Sequence, residues 1–204
     1  MKNIIGIFAH PDDAIIWCGG LLLNETNVGN KVTLFYLFEN KTEREEEEKQ
    51  NATKIGADVF FVQNNKRFMS EKIVEIKPDY IITHWEDDTN YEHRKTFRIV
   101  QDLIPDIVIN KSTNFKLFSC ESSNLTGKEK DNIFTADSYI DITTVFNEKK
   151  ELIKTYKSQA PDYWIDMIDT QNRISGRRVG VEYAEGYKQL SVLGVIKCSK
   201  KRLI

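Results

Sequence analysis

Short apolar runs alternate with longer stretches of mixed character through the first half of the chain. The run NIIGIFA is rich in β-branched residues and reads as a strand buried on both faces. After HPDD, the segment AIIWCGGLLLNETNVGN carries apolar positions at helical spacing. Gly19 and Gly20 weaken that helix, so their presence implies a close packing contact. NVGN turns the chain, and KVTLFYLF is a second central strand. The next helix begins in ENKTEREEEEKQNATKIG, where Glu45 to Glu48 read as a solvated face with basic partners nearby. Ala52 and Ile55 supply part of its buried side, and Gly56 stops it. VFFV returns as a strand.

SEKIVEIKPDYIITHW repeats the alternation. Ser70 is the expected helix cap, Ile73 and Ile76 share one face, and Pro78 closes the helix before the strand YIITH. YEHRKTFRIVQDLI is helical, with Phe97, Val100 and Leu103 on one side. Four strands alternating with helices over about 110 residues predict an α/β fold: a Rossmann-like three-layer sandwich with a mainly parallel β-sheet and helices on both faces. Further on, NFKLFSCESS and SYIDITTVF read as short strands and NEKKELIKTYKSQ as a helix, while GVEYAEGYKQLSVLGVIK mixes both signals. No linker divides the chain, so one domain over 1–204 is expected, its C-terminal elements packing around the sheet and completing the pocket.

Composition narrows the picture. A chain of 204 residues with 40% hydrophobic positions can bury one sizeable core. A net charge of -2 gives no broad field for nucleic acid. No apolar run reaches the roughly 18 residues of a membrane span, and MKNIIGIFAHPDD is too short before its acids for a signal peptide. Cys18, Cys120 and Cys198 form no CxxC pair and no disulfide framework, which suits a reducing cytoplasm. The closing SKKRLI reads as a solvated tail.

The candidate chemistry lies at the strand ends, where open α/β sheets gather ligands. His10 and Asp13 follow the first strand, and His93 follows another, near the start of its helix. Two imidazoles and a carboxylate suit a divalent metal with positions left for water and substrate. Asp12, beside Asp13, is placed to act as a general base. On the residues alone plainer readings stand beside these: Asp12 and Asp13 as helix caps, His10 bonded into its turn, His93 an ordinary helix residue. His84 is a reserve ligand candidate or a core residue. Acids around Asp88 and Glu92 include one that could orient a ligand histidine. Arg67, Arg94, Arg173, Arg177 and Arg178 are candidate sugar or phosphate contacts, with surface solvation the default; Trp85 and Tyr91 are candidate stacking faces or packing residues.

Ala9-His10-Pro11-Asp12-Asp13 and Asp88-Thr89-Asn90-Tyr91-Glu92-His93, followed by YKSQ at 156–159, YAEGY at 183–187, SYIDIT and GRRVG, resemble the LmbE-like, or PIG-L-like, N-acetylglucosaminyl deacetylase family over nearly the whole chain. The resemblance implies metal ligation by His10, Asp13 and His93, with Zn2+ expected and Fe2+ or Co2+ as substitutes. It implies Asp12 as the general base and a hydrolase that removes acetyl groups from N-acetylated amino sugars or glycoconjugates, in a protein able to form a homo-oligomer. It does not imply a nicotinamide cofactor, and GxGxxG is absent from the first motif. Three departures matter. Ala14 stands where the family usually has Glu, Asn90 replaces an inner histidine, and Glu92 replaces an aspartate. Asn90 can donate a hydrogen bond as a neutral catalytic contact but cannot exchange protons. The alternatives are a noncatalytic, metal-stabilised sugar-binding protein and a metal hydrolase acting on another amide.

Overall fold

The computed structural model describes residues 1–38, 43–111, 115–122 and 132–192. Cys198 and the SKKRLI tail lie outside the described residues. The strands are β1 (Asn3–Phe8), β2 (Lys31–Tyr36), β3 (Asp58–Phe61), β4 (Tyr80–Thr83), β5 (Lys116–Cys120), β6 (Ser138–Asp141) and β7 (Ala184–Leu190). The helices are α1 (Asp13–Asn27), α2 (Glu43–Ile55), α3 (Lys66–Ile76), α4 (Tyr91–Lys111), α5 (Phe146–Ile153) and α6 (Pro161–Val179). The strands form one seven-stranded sheet in the order β3-β2-β1-β4-β5-β7-β6. The first five are parallel; β7 runs antiparallel to β5 and β6. This is the mainly parallel α/β sandwich expected. Among the described residues no helix is long and apolar enough to cross a membrane.

The strand alternation builds two cores. Ile4, Phe8, Leu34 and Tyr36 face α1, α5 and α6, whereas Ile5, Ile7, Phe35 and Ile81 face α3 and α4. The side changes because β1 connects to β2 in one direction along the sheet while β3 returns across it to β4, and right-handed crossovers then place the helices on opposite faces. The reversal sits between β1 and β4, which pair in register from Ile4↔Tyr80 to Ile7↔Thr83. Segments distant in sequence therefore emerge side by side.

Four local expectations are corrected. Helix α3 starts before Ser70, at Lys66, with Asn65 Oδ1 accepting the Phe68 N–H. Helix α4 runs through Pro105 to Lys111. The glutamate run is solvated only at Glu46, which pairs with Lys49: Glu45, Glu47 and Glu48 are buried, and Glu47 accepts both the backbone N–H and the hydroxyl of Ser158. Helix α6 was not anticipated. Its buried face turns polar after Ile168, with Gln171, Asn172 and Ser175 continuing the helical spacing, so hydrophobic periodicity fades halfway along it.

Glu185 ties the C-terminal strand β7 to α1 through backbone hydrogen bonds and to α5 through a buried ion pair. Glu185 takes the Gly20 and Leu21 backbone N–H groups at 2.8 and 2.9 Å, the Tyr187 hydroxyl at 2.8 Å and the Lys149 ammonium at 2.8 Å. Gly20 makes this approach achievable, since a Cβ there would lie 2.4 Å from Ile142 Cγ2. Lys149 and Glu185 are 0% and 1% exposed, so removing one partner strands the other charge away from water. Glu185→Ala is expected to cost about 3–5 kcal/mol in denaturant unfolding, with Glu185→Leu/Lys149→Met costing less than either single change. A single-variant loss under about 1 kcal/mol contradicts the structural role given to Glu185.

Candidate active site

β1 ends in the turn that carries His10, Asp12 and Asp13, and β4 ends in the segment that carries His84, Asp88 and His93. Their pairing puts both segments at the strand-order reversal, the position where doubly wound sheets bind ligands. Asp12 stands at the N-cap of α1 but makes no capping bond. Asp13 reaches back instead and accepts the His10 backbone N–H at 2.7 Å.

Asp13 is the hub. Its Oδ2 lies 3.2 Å from His10 Nδ1 and from His84 Nε2, and its Oδ1 lies 3.2 Å from His93 Nε2. Trp17 Nε1 donates to Oδ1 at 3.3 Å. His93 Nδ1 contacts Asp88 Oδ2 at 3.0 Å, and the Ser122 hydroxyl donates to the same oxygen. His84 stacks on His93 with ring centroids 3.8 Å apart. The Ala9 backbone N–H donates to His84 Nε2 at 3.0 Å, so that nitrogen is the unprotonated one and its lone pair is occupied.

The charges follow from this packing. Burial alone would raise the Asp13 pKa, yet His93, His84 and His10 around it hold the carboxyl well below its usual range. Burial would also lower His10 and His93, but Asp13 and then Glu92 raise His10 to about 9, and Asp13 and Asp88 raise His93 to about 10. His84, buried and beside His93, is lowered to about 4 and stays neutral. Asp12 is raised to about 6 by burial and by Asp13, against the pull of Arg44, whose Nη1 is 3.3 Å from Asp12 Oδ1.

His10, Asp13 and His93 each present a ligand atom, all within 4.8 Å of one another. One carboxylate and two imidazoles of this reach, with His93 oriented by Asp88 through its other nitrogen, fit a divalent metal. His84, Asp88 and His93 meet the same distance criterion, but the Ala9 backbone N–H takes up the lone pair of His84 Nε2, which removes that nitrogen from the trio's donor set.

The other sequence candidates separate clearly. Asn90 is exposed, and its Oδ1 accepts the Glu92 N–H as a cap on α4, which leaves its amide nitrogen as donor. Glu92 Oε2 contacts His10 Nε2 at 2.6 Å. Trp85 is core, packed edge-on to Phe134, whereas Tyr91 is exposed. Arg67 and Arg173 pair with acids on their own helices. Lys157 is exposed, while Gln159 joins Arg44. Arg44, Trp17, Ser122 and Glu48 were missed; Arg44 opens the glutamate run and was hidden by its reading as a solvated face.

The cluster lies at the switch point of a Rossmann-like sheet. Residues 5–104, the segment that carries both motifs, match the family described as PIG-L, GlcNAc-PI de-N-acetylase. Solved structures repeat the fold. GalB, the 4-carboxy-2-hydroxymuconate hydratase from Pseudomonas putida KT2440, is 18% identical with 100% of each chain covered and a TM-score of 0.78. N,N'-diacetylchitobiose deacetylase from Pyrococcus horikoshii is 18% identical, with 94% of this chain and 85% of that chain covered and a TM-score of 0.74. The zinc-inhibited form of teicoplanin deacetylase Orf2 is 12% identical, with 92% and 97% covered and a TM-score of 0.70.

The site's electrostatics make a direct prediction. In metal-free protein, the His93 imidazole should titrate near 10, so its stabilising contribution is complete below 6.5 and lost as pH rises through about 10. In Asp88→Asn the NMR midpoint of His93 should fall toward 6.5. An unchanged midpoint contradicts the role of Asp88.

Proposed function

We propose that this protein is a metal-dependent hydrolase that removes the acetyl group from an N-acetylated amino sugar or glycoconjugate. The observation that carries the reading is the division of labour between adjacent carboxylates. Asp13 is consumed by histidines, while Asp12 is buried beside it, makes no capping bond and keeps a pKa raised to about 6. One acid is thereby suited to ligation and its neighbour to moving a proton near neutral pH. The PIG-L match over 5–104 and the deacetylases among the structures of like fold support the same reaction.

In this reading His10, Asp13 and His93 hold the metal, Zn2+ first, with Fe2+ or Co2+ able to replace it. A divalent metal held there would acidify water and polarise the acetyl carbonyl. Asp12 takes the proton of the attacking water, with Arg44 holding the carboxylate in place. Asp88 keeps the His93 ring oriented. The amide nitrogen of Asn90 offers the carbonyl oxygen a neutral donor, a weaker contact than a charged one. Because Asn90 cannot supply a proton, Asp12 must return the one it accepted to the leaving amine. The buried, unpaired Cys18 and Cys120 suit a reducing compartment, which supports a cytoplasmic enzyme.

The test is acetate release with a matching free amine. Substrates are N-acetylglucosamine, nucleotide sugars and N-acetylated glycoconjugates, each with zinc, cobalt and ferrous iron. Asp12→Asn should retain metal and lose about 10²- to 10⁴-fold in kcat. Full turnover in that folded variant removes Asp12 as the base. Saturable binding of an N-acetylated sugar without acetate release under all three metals replaces the hydrolase with the noncatalytic sugar-binding reading.

A further inference from the structure

Beneath the turn that carries Asp12 runs a chain of buried side chains that the hydrolytic step does not touch. The Tyr156 hydroxyl lies 3.3 Å from the Pro11 carbonyl oxygen and also contacts Glu48 Oε2. The other oxygen of Glu48 accepts the Tyr36 hydroxyl at 2.5 Å. Tyr36, Glu48 and Tyr156 are each 0% exposed. They come from β2, α2 and the YKSQ stretch, so the chain joins three parts of the fold under one peptide.

The Tyr156 hydroxyl has a single proton and two acceptors in reach. If that proton goes to Glu48, the Pro11 carbonyl faces only an oxygen lone pair. If it goes to Pro11, the contact between Tyr156 and Glu48 needs a proton from Glu48. Only the second arrangement satisfies every group, and a buried polar group left unsatisfied is costly. We propose that Glu48 is held as a neutral carboxylic acid that donates to Tyr156, and that through Tyr156 it fixes the Pro11–Asp12 peptide and aims the Asp12 carboxylate. Glu48 is thus a positioning residue, and its catalytic consequence rests on Asp12 being the base.

The surroundings agree. Tyr36 faces Glu48 from β2, Tyr156 from the YKSQ stretch, and Asp12 and Asp13 act on it from the turn, while Asn51 on α2 bonds to Tyr156. Burial is the largest influence and the two aspartates add to it; together they outweigh the tyrosine hydrogen bonds and push the carboxyl up to about 8. An acid whose folded pKa is raised stabilises the fold below its ordinary 4.5, and that contribution is lost as pH climbs through about 8. Over the same interval an ionised Glu48 would draw the Tyr156 proton to itself and release the Pro11 carbonyl.

The experiment compares wild type with Glu48→Gln, Glu48→Leu and Tyr156→Phe in metal-loaded protein. Glutamine keeps a neutral donor and acceptor; leucine and phenylalanine break the chain. Near neutral pH the infrared difference between wild type and Glu48→Gln should contain a protonated-carboxyl band that fades above pH 8. The Asp12 backbone ¹⁵N resonance, which reports the hydrogen bond to Pro11, should move in Tyr156→Phe and Glu48→Leu but stay near its place in Glu48→Gln. On a substrate that wild type deacetylates, Glu48→Gln should hold kcat within about 3-fold. The two chain-breaking variants should lose on the order of 10- to 100-fold in kcat with little change in KM. Absence of the band, a Glu48→Gln as impaired as Glu48→Leu, or an unmoved Asp12 resonance in Tyr156→Phe overturns the proposal. If wild type releases no acetate from any substrate, the hydrolase reading fails separately, and the infrared and ¹⁵N results still decide whether Glu48 is neutral and whether it governs the peptide.

Discussion

One carboxylate organises the site. Asp13, at the first position of α1, draws His10, His84 and His93 to within 3.2 Å and accepts the His10 backbone N–H as well. The two charged imidazoles, His10 and His93, would not gather in a buried space without an anion to offset their charge and accept from their ring nitrogens, and His84 stands beside them neutral. The anion can stand there because β1 and β4 are paired neighbours whose following segments leave the sheet in opposite directions. The sheet reversal makes the space, and Asp13 determines what fills it.

Around that hub, most polar groups have an identified neighbour. Asp88, itself held by the Ser122 hydroxyl, holds His93, the Ala9 N–H holds His84, and Arg44 bridges from Asp12 to Gln159. The C-terminal third closes the arrangement through Glu185 and Lys149 on one side of α1 and Tyr156 beneath the turn. These contacts tie YKSQ and YAEGY to the N-terminal motifs although neither supplies one of the candidate metal ligands. They restrain the helix and the turn from which Asp12 and Asp13 project, and a small displacement there would matter to any proton transfer.

β1, β2 and β4 were legible because they are largely buried and read as near-continuous apolar runs, and β3, at the sheet edge, because VFFV is itself a short apolar run. The His10–Asp13–His93 cluster was legible because histidine and aspartate at strand ends are chemically conspicuous; it took the β1–β4 register to bring His93 to Asp13. Other parts were hidden for identifiable reasons. Glu47 and Glu48 look solvated when charge alone is read, since their serine and tyrosine partners lie elsewhere in the chain. Helix α6 buries Gln171, Asn172 and Ser175 where a pattern search expects apolar residues. His84 looks like a ligand from its position, and only the Ala9 N–H on its Nε2 reassigns it.

The central claim is that the Asp13 hub is a metal centre with one particular donor set. Crystals grown with zinc and measured on both sides of the zinc absorption edge test it directly. The account predicts one strong anomalous peak, about 2.0–2.2 Å from a ring nitrogen of His10, a carboxylate oxygen of Asp13 and a ring nitrogen of His93. A peak on the His84–Asp88–His93 trio, or no peak at the hub in protein saturated with zinc, would contradict it.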